Sequence, residues 1–131
     1  MILLDTNVLI HALKGRTEVA RRLKAAPSKE LAISSITRYE LEYGVLNSKS
    51  PASKRKIVAE LCESLEQVPF DEAAALHAAQ IRHELSSAGQ LMGALDLLIA
   101  GTARSRGAVL VTGNTREFAR VKNLRCEDWN E

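Results

Sequence analysis

The chain has 131 residues, with 18 Lys and Arg against 16 Asp and Glu, for a net charge of +2. This length predicts a single domain over residues 1–131 with its own core, and the balanced charge excludes a strongly cationic arm but not nucleic-acid binding. Its apolar stretches are shorter than the roughly 20 residues of a membrane span. The start lacks the basic segment of a secretory signal, and Cys62 and Cys126 form no CxxC pair. We therefore expect no membrane association and a location in a reducing cytoplasm.

Short apolar strands alternate with helices along the chain. In chain order we predict a strand at residues 1–4, helices at 7–14 and 17–26, a strand at 31–34, helices at 37–46 and 53–66, a strand at 68–70, helices at 71–85 and 94–104, a strand at 108–112, a short helix at 115–119 and a last strand at 124–126. This alternation predicts an α/β domain with a mainly parallel sheet. Ligands of such sheets bind beyond the carboxyl ends of the strands.

Two conspicuous acids follow predicted strands. Asp5 comes directly after the first strand, where it either caps the next helix or belongs to a site. Glu40 lies shortly after the second strand, and the pair Thr37-x-x-Glu40 also fits a capping box, in which Glu40 turns back to the start of its helix. Both acids therefore have a structural alternative to a chemical role.

Two further acids lie in the second half of the chain. Asp96 lies in the nearly all-apolar run of residues 93–100, and a buried carboxylate is costly unless it is paired, hydrogen-bonded or bound to metal. A structural salt bridge is the alternative to a site for Asp96. For Glu117 the alternative is again capping, with Asn114 as the cap of the short helix and Glu117 at its third position.

Acids gathered at one end of a sheet repel one another unless a cation joins them. The chain offers carboxylate oxygens without a matching Cys or His cluster, which favours Mg²⁺ or Mn²⁺. Such an ion would orient a phosphodiester, acidify a bound water and neutralise developing charge. The sequence contains neither a GxxxxGK[ST] phosphate loop nor a Ser–His–Asp pattern.

The order and spacing of these segments resemble the PIN-domain ribonucleases, and among them the VapC-type toxins of bacterial type II toxin–antitoxin systems. The matching segments are LLDTN at residues 3–7, ISSITRYELEYG at 33–44, DLLIAG at 96–101, LVTGNTREF at 110–118 and the ending EDW at 127–129. The chain departs from the family in two places. Residues 93–96 read Gly-Ala-Leu-Asp where many members have Gly-Pro-x-Asp, and Asn114 stands where many have Asp.

The resemblance implies a five-stranded parallel sheet flanked by helices, a homodimer, and Mg²⁺- or Mn²⁺-dependent cleavage of RNA that leaves 5′-phosphate and 3′-hydroxyl ends. It also implies an antitoxin partner and, as target, a transfer-RNA anticodon loop whose cleavage inhibits translation and growth. It maps Asp5, Glu40 and Asp96 onto the three central acids and Glu117 onto a fourth, with Asp5 and Asp96 as metal ligands. The polar positions that hold metal, water or acids in place match Thr6, Asn7, Thr37, Thr112 and Asn114.

RNA binding also requires basic surface around an acidic pocket. When the four candidate acids are left out, 18 basic and 12 acidic residues remain, so the rest of the chain has a net charge of +6. Residues 14–29 and 104–125 each carry six basic side chains against one acid, which favours phosphate contacts. A solvated helix face is the alternative for any one of these side chains. We predict RNA contacts at Arg16, Arg104, Arg106, Arg116 and Arg120.

Two other function classes remain open. A phosphohydrolase or a receiver domain also has an Asp after its first strand, but the haloacid dehalogenase pattern needs a second Asp where Asn7 stands, and a receiver needs adjacent acids near its start and a late lysine. A non-catalytic protein-binding module would use the acids only as caps. Its expression would not arrest growth, and Asp96→Asn would change nothing.

Overall fold

A computed structural model describes residues 1–15 and 17–130 of the chain. Five strands form one sheet in the order β3-β2-β1-β4-β5, and every neighbouring pair is parallel. The strands are β1 (Ile2–Leu4), β2 (Leu31–Ser34), β3 (Glu66–Val68), β4 (Val109–Val111) and β5 (Arg125–Glu127). The predicted fold class, a five-stranded parallel sheet flanked by helices, is confirmed.

The helices cover both faces of the sheet. They are α1 (Thr6–Leu13), α2 (Thr17–Ala25), α3 (Ser35–Leu46), α4 (Pro51–Glu63), α5 (Glu72–Ser87), α6 (Ala94–Ser105) and α7 (Thr115–Phe118), with a 3₁₀ turn at Ser28–Glu30. Successive strand residues point to opposite faces. Leu3 packs in a core with α5, α6 and α7, whereas Leu4 packs in a second core with α1 to α4.

The boundary between α4 and β3 differs from the prediction. The helix ends at Glu63 rather than at residue 66, and the strand covers Glu66–Val68 rather than residues 68–70. Ser64 is the C-cap residue of the helix, and its hydroxyl donates to the Leu61 carbonyl at 2.8 Å. Only Val68 of this edge strand is buried, so the sequence carries no alternation that would mark its start.

Helices α5 and α6 pack closely against each other around Gly101. Gly101 of α6 faces Ala78 of α5, and a Cβ atom built on Gly101 would lie 2.6 Å from the Ala78 Cβ and 2.8 Å from the Ala74 carbonyl oxygen. Any larger residue at this position would push the helices apart. None of the helices in the described part of the chain is long and apolar enough to cross a membrane.

Candidate active site

Asp5 lies at the carboxyl end of the central strand β1, next to the end of β4. Its side chain is 4% exposed and accepts two hydrogen bonds, from the Thr6 backbone N–H to Oδ1 at 2.8 Å and from the Thr112 hydroxyl to Oδ2 at 2.7 Å. Asp5 therefore caps α1, as its structural alternative predicts, and also faces the β4 end of the sheet. Burial raises the pKa of the Asp5 carboxyl, and the two hydrogen bonds oppose that rise.

Glu40 points towards Asp5 rather than towards the start of its own helix. Its Oε1 accepts the Thr6 hydroxyl at 2.7 Å, while Ser34 caps α3 by accepting the Thr37 N–H at 3.0 Å. The capping-box interpretation of Glu40 is therefore wrong. Thr37 is fully buried, and its hydroxyl oxygen lies 3.2 Å from that of Thr6.

Glu117 is held by the turn that follows β4. The Asn114 side-chain amide donates to Glu117 Oε2 at 2.9 Å, and the Asn114 backbone N–H donates to the Thr112 hydroxyl at 3.0 Å. Asn114 precedes α7 but makes no side-chain capping bond to it. Asn114 thus stands at the predicted cap position of α7, but the predicted capping bond is absent, because the Asn114 amide orients the Glu117 carboxylate instead.

Asp96 lies in the first turn of α6 and is partly buried. Burial raises its pKa, and the negative charges of Asp5, Glu117 and Glu40 raise it further, to about 6. Among the described residues, no ion pair or hydrogen bond to its carboxylate is present, so the salt-bridge alternative has no support. The repulsion also indicates that the four acids share one site.

The structure therefore brings together acids from four separate elements. Thr6 joins Asp5 to Glu40, while Thr112 and Asn114 join Asp5 to Glu117. Asn7, in contrast, is exposed. Within residues 1–15 and 17–130, no three His, Cys, Asp or Glu side chains already converge as a metal cage. The arrangement fits a cation held by one or two carboxylates and completed by water, which is how proteins usually hold Mg²⁺.

The predicted RNA-binding arginines lie in different places. Arg116 is exposed on α7 beside Glu117. Arg104 and Arg106 lie before β4 begins, at the opposite end of the sheet from the acids, where Arg104 donates to His77 Nδ1 at 2.9 Å and Arg106 pairs with Asp71 at 3.2 Å. Arg120 is exposed and donates to the Gln90 carbonyl at 3.4 Å. Arg16 lies outside the described residues.

Sequence reasoning missed a basic residue beside the site. A groove of about 330 Å³ between α1, α3 and α4 is lined by Glu40 together with Lys14 and Lys54. Lys54 belongs to the run Lys54-Arg55-Lys56 near the start of α4, a charge cluster that is visible in the sequence. The apolar walls of the groove include Ile10, Leu13, Leu41, Ile57 and Val58.

Comparisons with known proteins match the chain along nearly its whole length. Residues 2–124 match the family model described as "PIN domain". The chain is 41% identical to the tRNA(fMet)-specific endonuclease VapC of Shigella flexneri, covering 98% of this chain and 97% of that protein. It is 38% identical to Ribonuclease VapC2 of Haemophilus influenzae, over 97% and 96% of the two chains.

Solved structures agree with this result. A crystal structure of DNA-bound VapBC from Salmonella typhimurium superposes with a TM-score of 0.93 at 41% identity, covering 98% of this chain and 97% of that one. VapBC2 from Rickettsia felis, bound to a DNA fragment from its promoter, superposes with a TM-score of 0.92 at 35% identity, over 98% and 99% of the chains.

Proposed function

Because the chain belongs to the VapC family of PIN-domain ribonucleases, we propose that it is the toxin of a type II toxin–antitoxin system and an endoribonuclease that hydrolyses RNA phosphodiester bonds. The observation that carries this proposal is the gathering of four acids from separate elements, near enough for Asp5, Glu117 and Glu40 to raise the pKa of Asp96. Such repulsion costs folding stability, and a divalent cation would relieve it.

We propose Mg²⁺ or Mn²⁺ as this cation, held by Asp5 and Asp96. The donor set fits, because Asp96 accepts no hydrogen bond among the described residues and each Asp5 oxygen keeps a further lone pair. When bound, such a cation supplies positive charge that offsets the charge of a phosphodiester and acidifies water. This assignment uses no His or Cys ligand, as expected for a hard cation.

The remaining acids have separate roles in the proposal. Thr6 fixes one oxygen of Glu40 and leaves the other to orient the attacking water and accept its proton. The water oxygen would attack phosphorus in line while the bond to the 3′ oxygen breaks. The departing 3′ oxygen would take a proton from solvent water, leaving 5′-phosphate and 3′-hydroxyl ends. Asn114 holds Glu117, which would support a second, weaker cation position. A phosphoryl acceptor role for Asp5 is disfavoured, because Asn7 stands where the haloacid dehalogenase pattern needs a second Asp.

As substrate we propose a transfer RNA in the cytoplasm, cleaved in its anticodon loop so that translation stops. The support is that the relative from Shigella flexneri is a tRNA(fMet)-specific endonuclease and is similar to this chain along nearly its whole length. Brief expression followed by sequencing of RNA ends would test the target. The matched control is Asp5→Asn, which should leave the same transfer RNA intact.

We propose an antitoxin as protein partner, because the structural neighbours are toxin–antitoxin complexes. The groove beside Glu40 suits an apolar antitoxin segment, since Ile57 and Val58 form one wall and Leu13 lies on the other. We also propose a homodimer, since Tyr39 and Tyr43 lie exposed one turn apart on α3. Sedimentation of the chain alone, and then with co-expressed antitoxin, tests both assemblies.

Cleavage of a fluorogenic RNA with Mn²⁺, Mg²⁺ or EDTA tests the catalytic proposal directly. We expect cleavage in either cation, none in EDTA and none for Asp5→Asn or Asp96→Asn. Cleavage that survives EDTA, or that survives both substitutions together, would contradict the metal mechanism. Expression without growth arrest, unchanged by Asp96→Asn, would instead favour a non-catalytic binding module.

A further inference from the structure

Residues 127–130, the last that the structure describes, lie beside the end of the sheet that carries the acids. We call residues 127–130 the C-terminal tail. Its first residue, Glu127, ends β5 opposite Val111, and its carbonyl accepts the Thr112 backbone N–H at 2.9 Å. The tail thus begins with a hydrogen bond to the backbone of Thr112, the residue whose hydroxyl holds Asp5.

Trp129 anchors this tail in the core. It is 6% exposed and packs in the same cluster as Leu4 and Val111, which immediately precede Asp5 and Thr112. Its indole N–H donates to Glu127 Oε2 at 3.1 Å, so the ring also holds the residue that accepts the Thr112 amide. Burial of so large a side chain gives a four-residue tail a fixed position.

Beyond the anchor, the tail folds back onto the turn after β4. Asp128 Oδ1 accepts the Asn130 backbone N–H at 2.8 Å and the Asn130 side-chain amide at 3.0 Å. A Cβ built on Gly113 would lie 3.2 Å from the Asn130 side-chain nitrogen. Gly113 lies between Thr112 and Asn114, so the tail lies against the turn that orients two of the acids.

We propose that the C-terminal tail is a positioning element of the acidic site, with Trp129 as its anchor. The tail holds Thr112 by its backbone, Thr112 orients Asp5 by its hydroxyl, and the same hydroxyl accepts the N–H of Asn114, which orients Glu117. A loosened tail would therefore free Asp5 and Glu117 from their fixed orientations. It would leave the hydrogen bond between Thr6 and Glu40 of α3 intact. This inference rests on the proposed function, because it assumes that the acids hold a divalent cation.

The test compares Trp129→Ala, Trp129→Phe and the control Ile81→Ala, a comparable core truncation in α5 far along the sequence from the tail. Mn²⁺ alone is titrated into each protein, and the midpoint of its thermal stabilisation is measured. We expect Trp129→Ala to raise this midpoint at least fivefold and Trp129→Phe less than threefold, because phenylalanine keeps an apolar ring in the core. Ile81→Ala should stay within twofold of the parent chain.

Amide hydrogen exchange provides a readout that is independent of metal. In Trp129→Ala the Thr112 amide, whose acceptor is in the tail, should exchange at least tenfold faster relative to the Leu110 amide, which lies in β4 just before it. If Trp129→Ala does not fold, Gly113→Ala replaces it, and its Cβ should raise the Mn²⁺ midpoint about threefold. Adding Asn130→Gly to Gly113→Ala removes the opposing amide and should restore the midpoint.

Equal Mn²⁺ midpoints for Trp129→Ala and Ile81→Ala, or unchanged exchange at Thr112, would overturn the inference. In the replacement experiment, a Gly113→Ala midpoint equal to that of the parent chain, or one that Asn130→Gly does not restore, would do the same. Failure of the proposed function gives a different result, since the parent chain itself would then show no Mn²⁺ stabilisation.

Discussion

Replacing Asp96 by asparagine should stabilise the metal-free chain while destroying its response to metal. Asparagine keeps the shape of the side chain but removes the charge that burial and the other three acids oppose. The folded chain holds the Asp96 proton more tightly than the unfolded chain does. The electrostatic cost is therefore absent below pH 3.8, grows as the pH rises from 3.8 to about 6, and is fully present above that range.

The size of this effect follows from the raised pKa. One pH unit corresponds to about 1.36 kcal/mol, so a rise from 3.8 to about 6 sets an upper limit near 3 kcal/mol. Asp96 is partly exposed, and solvent screening reduces the expected gain to about 1–2 kcal/mol. For a chain of this length, that gain corresponds to roughly 3–8 °C in melting temperature.

Urea unfolding in EDTA at pH 8 and pH 5 measures the gain. We expect Asp96→Asn to show its full gain in unfolding free energy at pH 8. At pH 5, where the parent carboxyl is largely protonated, we expect about half of that gain. Added Mn²⁺ should reverse the order by stabilising only the parent chain. Glu60→Gln, on the exposed side of α4, removes the same charge away from the site and should change little. Equal stability of parent and Asp96→Asn at pH 8, or the same gain at both pH values, would refute the reasoning.

Three further predictions concern positioning, packing and RNA contact. Thr6→Val removes the hydroxyl that holds Glu40 and should lower the rate of RNA cleavage about 10–100-fold with little change in unfolding free energy. Thr6→Ser keeps the hydroxyl and should retain activity, so equal cleavage rates for the two variants would contradict this role. Gly101→Ala should lower the free energy of urea unfolding by about 1–3 kcal/mol, because its Cβ would clash with α5. Gly44→Ala has open space at its Cβ and should raise that free energy by roughly 0.5–1 kcal/mol. Changes of the same sign in the two variants would refute the packing argument. Lys54→Ala should weaken RNA binding and reduce the slope of its salt dependence by about one phosphate contact. Arg106→Ala, at the far end of the sheet, should change neither quantity. Both are measured by fluorescence anisotropy in an Asp5→Asn background, which should bind RNA without cleaving it.

Several features were predictable because they depend on local pattern and on a general property of parallel sheets. Apolar strand residues followed by polar ones predict where β1 and β4 end, and parallel strands bring their carboxyl ends to one edge. Asp5 and Thr112 therefore meet, although 107 positions separate them. Asp96 was conspicuous because an acid in an apolar helix needs a partner or a ligand.

Other features depend on partners that are distant in sequence. Glu40 satisfies the spacing of a capping box, yet Ser34 caps the helix and Thr6 takes up the Glu40 carboxylate. No local rule distinguishes these outcomes, because they depend on where α1 crosses α3. Arg106 is close to the site acids in sequence, but α6 and β4 carry it to the opposite end of the sheet.

The sequence by itself determined the class of fold, the edge of the sheet where chemistry occurs and the three acids that the family resemblance assigns to its centre. These follow from periodicity, from strand ends and from the cost of burying charge. Only the tertiary structure decided how the acids are held: Glu40 by Thr6, Glu117 by Asn114, and Asp5 by Thr112, which the tail holds in turn. Hydrogen bonds of this kind join separate elements, and their geometry depends on how those elements pack.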